Sequence, residues 1–164
     1  MATKTKLSKA TFVTFGYGQV EPNHLSAMRN GQIYAQLPCG EDILEQGMFA
    51  KYDYENNEVN FDGDGEAMLV FCEEKVYDVR ETNADFACKR GGVYPRLFKT
   101  SVGDIFTTNT VNGTKETLTV GAKLAPGADG ILAVTESSDG MLWNIVKVYT
   151  LADGQAAVKV QRIQ

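Results

Sequence analysis

The stretch LTVGAKLAPGADGILAVTESSDGMLWNIVKVYTLADGQAAVKVQRI, from Leu118 to Ile163, decides the fold. Short apolar runs alternate with Pro126-Gly127, Asp129-Gly130, Asp139-Gly140 and Asp153-Gly154. Asp-Gly and Pro-Gly are turn dipeptides, because glycine takes backbone angles closed to other residues. No run keeps a helical period long enough to bury a stripe. The pattern predicts a compact antiparallel β unit at the end of the chain. Trp143 alternates with Ile145 among strand residues and reads as core.

Just before this stretch, Val111-Asn112-Gly113-Thr114 has the composition of a type I′ hairpin between Thr-rich strands. Val102-Gly103-Asp104-Ile105-Phe106 opens the second half. Residues 80–100 contain Gly91-Gly92 and Pro95 and read as a connecting segment. The expected organisation is an N-terminal arm plus β unit over 1–80, a connection over 81–102 and a small β-barrel over 103–164.

In the N-terminal part, Thr11–Phe15 is β-branched and aromatic and reads as a strand stopped by Gly16-Tyr17-Gly18. Asn23 can cap a short helix that Asn30-Gly31 would end, which makes 23–30 the best helix candidate. Gln32–Leu37 alternates and fits a half-buried strand. Glu58–Phe61 and the run Ala67–Cys72 are further strand candidates. A weak internal repeat sets Leu44, Gly47, Asp64-Gly65, Met68-Leu69 and Lys75-Val76-Tyr77 beside Leu118, Gly121, Asp139-Gly140, Met141-Leu142 and Lys147-Val148-Tyr149. Either a duplication or the recurrent vocabulary of β proteins produces such a match. The expected fold class is all-β: one or two small antiparallel barrel or sandwich units with at most one short helix.

The chain has 164 residues, 43% of them apolar and 23% charged, enough for a core without disulfide or metal support. Sixteen basic residues against 21 acidic give a net charge of -5, which argues against bulk attraction to nucleic acid or an anionic membrane. Cys39, Cys72 and Cys88 are odd in number and lack C-x-x-C spacing. Cys72 follows Met68-Leu69-Val70-Phe71 and reads as a buried thiol in a chain made in a reducing cytoplasm. The basic N-terminus lacks the apolar segment of a signal peptide, and no run approaches membrane-spanning length. A soluble protein without a signal of that type is expected.

Motifs that carry chemistry are sparse. Asp62-Gly63-Asp64-Gly65-Glu66 places carboxylates where a hard cation could sit, but it fails the EF-hand frame after its second acid and reads first as a turn. His24 is the single histidine, whereas triads need one with precise partners and catalytic zinc usually needs two or more. It reads as solvated, and its pairing with Cys39 or Cys88 as base and nucleophile lacks any local signature. Gly16-Tyr17-Gly18 follows a candidate strand without the further glycine and long helix of a dinucleotide site. No enzyme, metal or cofactor is expected from these residues.

Charge, by contrast, is segregated. Glu41, Asp42, Glu45, Asp53, Glu55, Glu58, Asp62, Asp64 and Glu66 stand against Lys51 alone in 41–66. Lys4, Lys6 and Lys9 make the N-terminus basic, and Arg80, Lys89, Arg90, Arg96 and Lys99 dominate 80–100, interleaved with aromatics. These eight basic residues are the candidate partner-binding set. The terminus reads either as a frayed end or as an arm lying on an acidic partner, and the segregation either as surface variation or as docking patches. With the acidic overall balance, the 80–100 segment suits a protein contact rather than a single-stranded nucleic acid.

Val120-Gly121-Ala122-Lys123-Leu124, Asp129-Gly130-Ile131-Leu132, Val146-Lys147-Val148-Tyr149 and the closing Gly154–Val160 run resemble the small β-barrel of tailed-bacteriophage head decoration proteins. Val102-Gly103-Asp104 repeats the first of these motifs, and the likeness covers roughly the last third of the chain. The resemblance implies a non-enzymatic virion structural protein, made in the host cytoplasm, that binds the major capsid protein lattice as a homo-oligomer or lattice-bound multimer. It implies no catalytic residues. The alternatives are a small-molecule or carbohydrate-binding β module, a compact enzyme with an unrecognised site, or another virion component such as a head fibre or tail part.

Overall fold

The computed structural model describes residues 8–13, 17–26, 37–71, 88, 90 and 94–164. The protein is all-β, with eleven strands in two sheets among the described residues. They are β1 (Val20–His24), β2 (Phe49–Asp53), β3 (Glu58–Asn60), β4 (Asp64–Val70), β5 (Leu97–Phe98), β6 (Ile105–Thr108), β7 (Val111–Asn112), β8 (Lys123–Pro126), β9 (Leu132–Val134), β10 (Trp143–Thr150) and β11 (Ala156–Arg162). The larger sheet has the order β1-β6-β11-β10-β8-β9-β7, and the smaller, curled one β3-β2-β4-β5. Among the described residues no helix is long and apolar enough to cross a membrane.

Turns form at the Asp129-Gly130 and Asp153-Gly154 signals of the C-terminal stretch. The turn at Asp153-Gly154 joins β10 to β11, with Leu151 N donating to Gln155 O at 2.7 Å. The pairing then runs from Thr150↔Ala156 to Trp143↔Arg162, with one bulge between Ile145 and Lys147. The 127–131 turn joins β8 to β9. Three strands from elsewhere complete this sheet. β6 pairs with β11, β1 pairs with β6, and β7 runs parallel to β9. The sheet is therefore mixed rather than purely antiparallel.

Several local expectations change. Val111 and Asn112 form no hairpin arm; they add in parallel to β9, and Thr114–Leu118 makes the turn instead. Thr11–Val13 is not strand, although Phe12 N donates to Val111 O at 3.0 Å. Asn23 and His24 belong to β1 rather than to a helix. Asp64 starts β4, so the acidic run contains a turn only as far as Gly63. Positions 32–36 of the expected Gln32–Leu37 strand, Thr14 and Phe15 of the expected first strand, the helix positions from Ala27, Cys72 and the repeat's Lys75–Tyr77 lie outside the described residues.

Two apolar clusters hold the body together. One gathers Phe49, Leu69 and Phe98 of the smaller sheet with Phe106, Leu124, Leu132, Trp143, Ile145, Val158 and Val160 of the larger. The other, with Ala50, Tyr52, Val59, Met68, Val70 and Leu97, lies on the opposite face of the smaller sheet. Met68, Leu69 and Val70 are thus buried in succession, because successive side chains enter different clusters. Main chain also joins the sheets, since Phe49 N donates to Gly130 O at 2.7 Å. Arg162 at the end of β11 reaches Thr100 and Glu66, tying the last strand to the smaller sheet.

Candidate functional site: a lysine face and an acidic end

On β11 alternation sends Val158 and Val160 into the core and Lys159 outward. On β10 Trp143 and Ile145 face the core, and the bulge between Ile145 and Lys147 shifts the phase so that Lys147 and Tyr149 face outward with Lys159. The register aligns Lys147 with Lys159, Lys159 with Thr107 and Thr107 with Glu21 across four strands. Tyr149 lies over this row and covers Thr107, which is fully buried. Its hydroxyl is 2.8 Å from Glu21 Oε2 and 2.9 Å from Thr107 Oγ1. The ammonium groups of Lys147 and Lys159 stand 5.5 and 5.7 Å from the centre of its ring. Burial against the sheet pushes the Tyr149 phenol above its ordinary pKa; the Thr107 bond opposes this and Glu21 adds to it. Lys123, also exposed, belongs to β8 opposite Asn144.

The acidic end belongs to the smaller sheet. Asp53 pairs with Glu58 and Tyr52 with Asp64, so the turn and the start of β4 bring Asp53, Glu55, Glu58, Asp62 and Asp64 into one region. Asp53 closes the turn by accepting bonds from Asn56 N (2.9 Å), Asn56 Nδ2 (2.8 Å) and Asn60 Nδ2 (3.0 Å). These bonds hold its carboxyl below the usual range. Tyr54 is 59% exposed and stacks on buried Tyr52, with ring centres 5.6 Å apart. Tyr54, Asp64, Glu66 and Lys99 share a shallow recess.

Not every acid of 41–66 serves this surface. Glu45 is 2% exposed and takes bonds from Ser8 Oγ (2.6 Å), Lys9 N (3.1 Å) and Gly18 N (3.1 Å). It fastens the N-terminal segment to the body, and Ser8 and Ala10 are buried. That segment is therefore not a loose arm from Ser8 onward.

The expected partner-binding residues are dispersed. Lys9 is exposed, Arg90 is exposed and faces Asp42 at 3.8 Å, Arg96 lies 5.9 Å from the Phe98 ring, and Lys99 borders the acidic end. Lys4, Lys6, Arg80 and Lys89 lie outside the described residues. Lys147, Tyr149 and Lys159 were not in that set; alternation marks Lys159 as outward on its strand, but only the bulge between Ile145 and Lys147 turns Lys147 and Tyr149 to the same face.

Other chemistry is thin on this surface. His24 is exposed, while Cys39 and Cys88 are buried. Burial is the main cause that raises the Cys39 thiol pKa, which works against a reactive thiolate. No group of three or more His, Cys, Asp or Glu among the described residues could hold a metal ion. A groove of about 470 Å3 lies between the sheets, with Phe49, Phe61, Pro126 and Met141 as apolar lining and Lys51, Asp62 and Asp139 as charged lining. The chain matches no protein-family model, no curated protein and no solved structure.

Proposed function

We propose that this is a non-enzymatic structural protein of a tailed-phage particle, an auxiliary or decoration subunit bound to the lattice of the major capsid protein. The observation that carries the reading is the separation of charge on one body: a lysine face on the larger sheet and an acidic, tyrosine-bearing end on the smaller. Opposed patches of this kind set register and speed encounter between neighbouring subunits. The resemblance of the last third of the chain to decoration proteins points the same way. The test is co-sedimentation of purified protein with undecorated phage heads at several salt concentrations. Binding that weakens as salt rises is expected, because exposed charges are screened over about 8 Å at physiological ionic strength. Absence of binding at low salt would end the reading.

A second reading, a carbohydrate-binding module, draws on the groove between the sheets. Phe61 offers a ring for the apolar face of a sugar, while Asp62 and Asp139 offer acceptors for its hydroxyls. Titration with simple saccharides, followed by NMR at the Phe61 and Met141 signals, separates it from the first.

A further inference from the structure

Lys147 and Lys159 are direct cross-strand partners. Like charges in that position repel. The Tyr149 ring offsets part of the repulsion, because the negative face of an aromatic ring attracts cations. Neither lysine has an ion-pair partner among the described residues. Glu21, the acid in the same row, is already hydrogen-bonded to the Tyr149 hydroxyl. Two cations over one tyrosine, without an ion-pair partner among the described residues, are complementary to a carboxylate-bearing surface.

The chain itself carries a fitting donor. Tyr54 and Glu55 project from a turn that Asp53 holds rigid through Asn56 and Asn60, and Asp64 stands beside Tyr54. A rigid turn loses little freedom on docking. An exposed tyrosine is a favoured anchor at protein interfaces.

We infer that the Tyr54–Glu55–Asp64 end of one copy docks on the Lys147–Tyr149–Lys159 face of a second copy. The two patches differ, so the contact is head-to-tail. Repeated, it closes into a ring or continues as an open filament. This inference rests on the structural-protein reading above and names the contact between subunits.

The test is charge-swap complementation in solution, without phage heads. One variant carries Lys147→Glu with Lys159→Glu; the other carries Glu55→Lys with Asp64→Lys. All four side chains lie on the surface, and circular dichroism with melting curves verifies each fold. Sedimentation velocity of the wild type should show association that grows with concentration and declines with salt. Each variant alone should lose about tenfold or more in association constant, as loss of close interfacial charge pairs does. An equimolar mixture should associate again, because each reversed patch meets its complement. The milder pair Lys147→Gln with Lys159→Gln should weaken association less.

A wild type that stays monomeric, association untouched by both variants, or a mixture that stays apart would each overturn the inference. Head binding is scored separately. A monomer that binds heads keeps the capsid reading and removes this contact, whereas self-association without head binding does the reverse.

Discussion

Phe49 of the smaller sheet and Trp143 of the larger meet with ring centres 5.6 Å apart at 58°. Phe106 completes the cluster, 5.0 Å from Trp143 in an edge-on arrangement. This contact makes one core out of two sheets, so neither sheet can keep its inner face dry without the other. Phe49→Ala should cost about 3–5 kcal/mol, the range for truncating a buried aromatic. Urea unfolding followed by tryptophan fluorescence and by far-UV circular dichroism should give one coincident transition in wild type and variant alike. Separate transitions would show two independent units.

Glu45 is the anchor of the N-terminal segment. Glu45→Gln replaces one acceptor oxygen with a donor, facing Ser8 Oγ, Lys9 N and Gly18 N. A hydrogen bond to a charged group contributes about 1.5–3 kcal/mol, and a loss of that order is expected. Limited proteolysis should then cut near residues 8–18 faster than in the wild type.

Acid should weaken the fold partly through Asp153. Burial alone would raise its pKa, but bonds from the Gln155 side chain and main chain, Gln19 and Tyr17 together outweigh that and hold it below the ordinary value. A carboxyl depressed in the folded state contributes stability that is present above its unfolded pKa and is lost as pH falls through the folded one. The loss therefore lies below about pH 4. Asp153→Asn should flatten the decline in urea midpoint over that window, while a slope equal to that of the wild type would exclude this contribution.

Gly130 has φ +72, and a Cβ there would lie 2.3 Å from Phe49 O and 2.6 Å from the Phe61 ring. Gly154 has φ +88 but open space around it. Alanine at 154 should cost about 1 kcal/mol in backbone strain. Alanine at 130 should cost about 3 kcal/mol or more, because overpacking adds to the strain. Melting temperatures of the two variants provide the comparison.

The turns of the C-terminal unit were legible in the residues because glycine at positive φ is a local requirement. Gly130, Gly140 and Gly154 all meet it. Alternation then made the core positions of β10 and β11 readable, Trp143 among them, and the all-β class followed. Plain alternation from Trp143 and Ile145 would have sent Lys147 and Tyr149 into the core; the bulge between Ile145 and Lys147 turned them to the face of Lys159. What makes them a candidate site is their register across β10 and β11 and the tyrosine ring that both lysines approach.

Only the tertiary structure decided the rest. Val20–His24 joins Ile105–Thr108 across a long stretch of chain, and no local pattern names that partner. Val111-Asn112 carries a hairpin signature but pairs in parallel with β9. Met68-Leu69-Val70 lacks alternation because both faces of its sheet are covered. Glu45 looks like part of an acidic surface and is buried, held by donors from the N-terminal segment. The physical reason is common to all four. Turn geometry and side-chain alternation depend on a few neighbouring residues, whereas strand partners and the burial of a charge depend on which surfaces distant segments leave uncovered when the core closes.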